Sequence, residues 1–149
     1  MLFRSWVSSY FAKNGDFTYG VYRQKRAWVK SEATWNIYST GNNWSAGGGA
    51  GSSDCETSAI GTVLIPSTAK KNDEITWSLS PTTKSGLDLG YGWLIRPVTD
   101  DWYTWIGFKS SDHPDSSYRP KLSVTYTAGG LLQVNTNAQM QSLTGGMRG

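Results

Sequence analysis

The sequence predicts an all-β fold, an antiparallel β-sandwich or jelly roll of about eight strands. Two patterns predict it. Short segments rich in Val, Ile, Thr, Tyr, Phe and Trp alternate apolar with polar residues, which is the period of a half-buried strand. Gly, Pro, Asn and Asp separate these segments at regular intervals, and no segment reads as a helix longer than one turn. Composition agrees. Charged residues are 17% of the 149, below the usual quarter or so, and Gly, Ser and Thr fill the difference. Eight Trp and eight Tyr favour strands further. The length suits one domain, residues 1–127, plus an appendage, residues 128–149.

The elements follow in order. Leu2 to Phe11 reads as a strand. Lys13-Asn-Gly-Asp16 reads as a hairpin turn, because Asn-Gly supplies the positive φ pair of a type I′ turn. Phe17 to Arg23 is the returning strand, with Phe17, Tyr19 and Val21 alternating against Thr18, Gly20 and Tyr22. Trp28 opens an alternating extended stretch, and Ala33 to Ile37 reads as a second short strand. Ser39-Thr-Gly-Asn-Asn is a turn. Trp28, Trp35 and Trp44 lie close together in sequence and read either as a corner of the β core or as a platform of exposed indoles for a ligand. Gly41 to Ser58 is a long loop whose Gly-Gly-Gly-Ala-Gly-Ser-Ser centre forms neither helix nor strand. Ile60 to Ile65 is a strand ended by Pro66, and Glu74 to Ser80 places Ile75, Trp77 and Leu79 inward. One short helical turn is expected within Thr82 to Gly90. Tyr91 to Arg96, apolar on both faces, reads as a central strand. Thr99-Asp-Asp-Trp is a turn, Tyr103 to Lys109 the next strand, and Lys121 to Thr127 the last.

Trp28-Val-Lys-Ser-Glu-Ala-Thr-Trp-Asn, then Tyr38-Ser-Thr-Gly-Asn-Asn-Trp44 and a glycine-rich loop, resemble the pattern of DNRLRE-type β-sandwich domains. Trp93-Leu-Ile-Arg, Ile106-Gly-Phe-Lys-Ser-Ser-Asp and Arg119-Pro-Lys-Leu-Ser-Val-Thr-Tyr126 extend the resemblance from Leu2 to Thr127. The chain departs from the pattern at Lys30-Ser31, where the family often carries an acidic residue. The resemblance implies a β-sandwich of a kind found in secreted and cell-surface bacterial proteins, some of them carbohydrate-binding modules, and in tailed-phage structural proteins.

Catalytic chemistry finds little support in the sequence. The single histidine, His113, stands in a polar loop with no nucleophile marked beside it. Asp54 and Glu56 flank the lone Cys55 and raise its pKa rather than activate it. No phosphate loop or zinc spacing occurs, so no enzyme and no obligate cofactor is expected. Asp54, Glu56, Asp112 and Asp115 are the candidate ligands should a calcium ion bind. For a glycan, the candidates are Trp44, Tyr91, Trp102, Tyr103 and Trp105, because sugar rings stack on aromatic faces. The same residues would equally suit burial against a neighbouring subunit.

The net charge of +3 comes without a basic run, so no nucleic-acid partner is expected. No stretch is long and apolar enough to insert in a membrane. Met1-Leu-Phe-Arg-Ser-Trp lacks the apolar run of a signal peptide. The expectation is a chain that works where it is made, or a fragment of something exported. Residues 128–149 are nearly uncharged and rich in amides, with Leu131, Leu132, Val134, Met140, Leu143 and Met147 scattered along them. Alone they cannot bury enough to order themselves, and they read as an arm that docks on another subunit. The leading expectation is therefore a structural or decoration protein of a phage-like virion, made in the host cytoplasm and forming homo-oligomers. The alternative is a carbohydrate-binding module of an extracellular or cell-surface protein.

Overall fold

The computed structural model describes residues 1–12, 15–80, 91–99 and 104–125, without the side chains of residues 10–12 and 104. The first sheet is built on the long strand β1 (Leu2–Ala12). Its first half pairs with β6 (Glu74–Ser78) on one edge and with β9 (Lys121–Ser123) on the other. Its second half pairs with β8 (Thr104–Phe108), after a register shift between Val7 and Ser9. The second sheet places β2 (Phe17–Arg23) between β5 (Gly61–Ile65) and β7 (Trp93–Pro97). A small hairpin, β3 (Ile37–Ser39) with β4 (Asn42–Asn43), stands apart from both. Every strand pairing among the described residues is antiparallel, and the two larger sheets pack face to face as a sandwich.

Alternation explains the packing. In β6 and just beyond it, Ile75, Trp77 and Leu79 are buried while Glu74 and Ser78 are exposed. They meet Val7 of β1, Tyr19 and Val21 of β2, and Ile65 of β5 in one core. Trp77 is its centre and is completely buried. Its ring lies 5.4 Å from Phe3 and 5.6 Å from Phe108. Its Nε1 donates to the Tyr19 carbonyl at 3.2 Å, so one indole fills the core and ties the two sheets together.

Two further contacts shape the rim. At the seam between β5 and β6, Ser80 N donates to Ile60 O at 3.0 Å. A Cβ on Gly61 would stand 2.5 Å from the Ser78 carbonyl oxygen, so only glycine fits this approach. On the outside of the first sheet, a 3-10 turn at Ser116–Tyr118 sets the Tyr118 ring edge-on to Trp6 at 6.4 Å. Lys109 lies 3.6 Å from the centre of that tyrosine ring and donates to Asn72 Oδ1 at 2.5 Å.

Four expectations change. β1 and β2 do not form the expected hairpin, because they belong to different sheets; residues 13 and 14 of the expected turn lie outside the described residues. The reason is burial, since Val7 and Val21 are both inward and face each other across the core. Among the described residues, the strand of Trp93 is an edge of its sheet, not its centre. Ala33 forms a turn bond to Val29 rather than starting a strand, and regular pairing begins only at Ile37. The glycine run is not structureless: Gly47–Gly49 forms a 3-10 turn, with Gly48 and Gly49 at φ 69°. The helical turn expected within 82–90, the turn at 100–102 and the arm with Leu131, Leu132, Val134, Met140, Leu143 and Met147 lie outside the described residues. Among those described, no helix is long and apolar enough to cross a membrane.

Candidate functional site

Beyond β2 the chain leaves the second sheet and returns to it after a long excursion. Gln24 and Cys55 form an antiparallel bridge at its neck. Lys25 N donates to Asp54 O at 2.7 Å and Glu56 N to Arg23 O at 2.8 Å, which closes the neck on both sides. The segment between forms an apron that supplies its own backbone partners. Val29 N donates to Tyr38 O at 2.9 Å, Thr34 N to Ile37 O at 2.9 Å, and Trp44 N to Asn36 O at 3.0 Å. Gly41, at φ 77°, makes the tight turn between β3 and β4.

The rivet of the apron is Asp54, whose side chain is fully buried. Its Oδ2 accepts from Ser45 N and Ser45 Oγ at 2.6 Å each and from Ala46 N at 3.4 Å. Arg26 Nε stands 3.0 Å from Oδ1, a charge contact off the hydrogen-bond line. Burial alone would raise this carboxyl's pKa. The Ser45 and Ala46 hydrogen bonds and the Arg26 charge outweigh it and hold the pKa below the ordinary value. Arg26 also lies 4.7 Å over the ring of Tyr38, which tilts against Trp44 at 5.4 Å.

Three indoles of the apron have three different fates. Trp44 is half-buried, and its Nε1 donates to Thr34 O at 3.0 Å. Trp28 is partly exposed and donates to Tyr91 O at 2.8 Å, which ties the apron to the entry of β7. Trp35 is 73% exposed. Its ring rests on the glycine turn, and Gly48 N donates to its carbonyl at 2.7 Å.

The glycan candidates do not form one site. Trp44 packs inside the apron, and Tyr91 stands beside Trp28, 49% exposed. Trp105 points outward from β8 in the other sheet, because Ile106 and Phe108 take the inward side. Trp102 and Tyr103 lie outside the described residues. Sequence reasoning left Trp35 open between a corner of the core and an indole platform, and did not place it among the glycan candidates. The signal that could have found it is the glycine run twelve residues on, which makes a surface flat enough for an indole.

The calcium candidates are not gathered either. Asp54 is taken up by Ser45, Ala46 and Arg26. Asp112 pairs with Lys30 at 3.0 Å, and that hydrogen bond and charge lower its pKa. Asp115 caps the 3-10 turn through Ser117, whose side-chain and backbone bonds lower its pKa. Among the described residues, no group of three or more His, Cys, Asp or Glu is placed to hold a metal ion. Burial pushes the Cys55 thiol up, and Asp54 and Glu56 add to this against the opposing Arg96. His113 receives the Asp115 N–H at Nδ1, 3.2 Å away. A cleft of about 410 Å³ between β5 and β6 is lined by Val63, Leu64, Pro66 and Ala69 on one side and residues 73–76 on the other. Its carboxylates are engaged, Asp73 by Lys70 N and Glu74 by Arg4. No family model, curated protein or solved structure matches the chain.

Proposed function

We propose that this chain is a non-enzymatic β-sandwich serving as a structural or decoration protein on the surface of a phage-like particle, attached to neighbouring subunits through residues 128–149. One observation carries the reading. The reactive side chains hold loops together, with Asp54 in the apron, Cys55 in its buried neck and Asp115 at a turn, whereas Trp35 and other large apolar groups face outward. A rigid sandwich with outward aromatics suits contact with other molecules better than turnover of a substrate. The nearly uncharged, amide-rich composition of residues 128–149 supports their role as the attaching arm. The test is mass by light scattering on the full chain and on a version ending at Thr127. The full chain should be an oligomer and the shortened one a monomer; two monomers would refute the proposal.

A second reading, a carbohydrate-binding module, is favoured by the partly exposed indoles of the apron, Trp28 and above all Trp35. It differs in its test, because such a module binds sugar with or without residues 128–149.

A further inference from the structure

We infer that the exposed face of Trp35, backed by the glycine turn at residues 47–48, is a stacking platform for an uncharged sugar ring. The inference rests on the second reading above and gives it a site and a ligand class. Trp35 is the most exposed large apolar residue described, and one side of its ring nonetheless lies against the glycine turn. A Cβ on Gly48 would stand 2.7 Å from Cζ3, and one on Gly47 would enter the space of Nε1. These glycines let the backbone approach the ring's inner face, and the Gly48 N–H bond to the Trp35 carbonyl holds the two together. A large apolar ring is thus backed by the chain on one side, with its outer face open to water. A ligand laid on it would meet a pre-set surface and lose less in ordering it.

The chemistry around the ring selects the ligand. An indole face carries a negative quadrupole, and the weakly positive C–H groups on one side of a pyranose ring are complementary to it. Thr34 and Asn36, which flank Trp35 in sequence, are neutral and exposed, as are Asn42 and Asn43 elsewhere on the apron. Between residues 25 and 56, Lys25, Arg26 and Lys30 balance Glu32, Asp54 and Glu56. Several of these charges are already engaged: Arg26 with Asp54, Lys30 with Asp112, and Glu32 with Thr40 N at 2.7 Å. With no surplus of either sign, the apron offers nothing to a polyanion and matches a neutral glycan.

The experiment screens the full chain on an array of neutral and acidic oligosaccharides, then titrates the strongest ligand while following tryptophan emission. Trp35→Ala should weaken binding at least about tenfold. Gly47→Ala, which keeps the indole but displaces it, should weaken binding in the same direction. Leu64→Ala, an exposed apolar residue on β5, should leave it unchanged. Binding that survives Trp35→Ala, or that is confined to acidic sugars, overturns this site and leaves the carbohydrate-binding reading standing. No binding to any oligosaccharide overturns both, and leaves the assembly proposal untouched.

Discussion

Replacing Asp54 by alanine should loosen the apron while the sandwich stays folded. The side chain is completely buried, with two hydrogen bonds of 2.6 Å from Ser45, a longer one from Ala46, and Arg26 Nε at 3.0 Å. A hydrogen bond to a charged group contributes about 1.5–3 kcal/mol, and part of that offsets the desolvation of the carboxylate. Removal leaves the Ser45 donors and the Arg26 charge without their partner. The net loss should be about 3 kcal/mol of local stability, as for other broken buried pairs. Native-state amide exchange reads this directly. The amides of Ser45 and Ala46 should exchange roughly a hundredfold faster, while those of β2 and β6 hold their rates. The pH dependence has a definite sign. The folded pKa of Asp54 is lowered, so its contribution is complete above the ordinary carboxylate value of about 3.9 and is lost as pH falls through the lower folded value. Asp54→Asn should remove that acid-dependent step. An Asp54→Ala protein whose Ser45 and Ala46 amides exchange within about twofold of the parent would refute the rivet.

Other outcomes follow from the core and rim. Gly61→Ala places a methyl against the Ser78 carbonyl and should cost about 1–3 kcal/mol, seen as a drop of several degrees in thermal melting. Trp77→Phe removes both the bond to Tyr19 O and ring volume from the core, and should cost about 2–4 kcal/mol in urea unfolding; an unchanged midpoint would contradict its central place. Tyr118→Ala should further expose Trp6 and shift its emission to the red, because the tyrosine ring packs edge-on against that indole. Lys30→Ala should move the Asp112 carboxyl titration up towards its ordinary value, read by NMR, with no change in melting, since both groups are solvent-exposed.

The strands were legible where one face is buried and one is wet. Ile75, Trp77 and Leu79 carry that period openly, and Tyr19 with Val21 does so in β2. Partner choice was not legible. Asn14-Gly15 satisfies the local chemistry of a hairpin, but a turn signal does not say whether the chain returns beside the first strand or crosses to the opposite sheet. Val7 and Val21 share the core from opposite sheets, and that long-range burial decides the crossing. The apron was least legible. Its alternation resembles a strand, yet no sheet edge receives it, and its backbone bonds close within the segment, as between Val29 and Tyr38. Asp54 read as a calcium candidate because carboxylates in loops do bind cations; its actual partners, Ser45 and Ala46, are fixed only by how the loop closes.

Exposure and order coexist in the apron because its order does not come from a core of its own. Trp28 and Trp35 remain exposed, and only Tyr38 and Trp44 pack on each other. The segment is held by polar stitches, by the Asp54 rivet and by its neck on β2 at Gln24 and Cys55. Segments so built lie at the low end of local stability, whatever the stability of the sandwich beneath. A ring that stacks on Trp35 therefore presses on the least stable part of the fold, and mass action makes it stabilise that part. Ligand that binds there should slow exchange at the Gly48 amide, whose partner is the Trp35 carbonyl, without slowing it at Trp77. Protection spread evenly over both sheets would instead mean that the ligand is held by the sandwich, and Trp35 would lose its role as the platform.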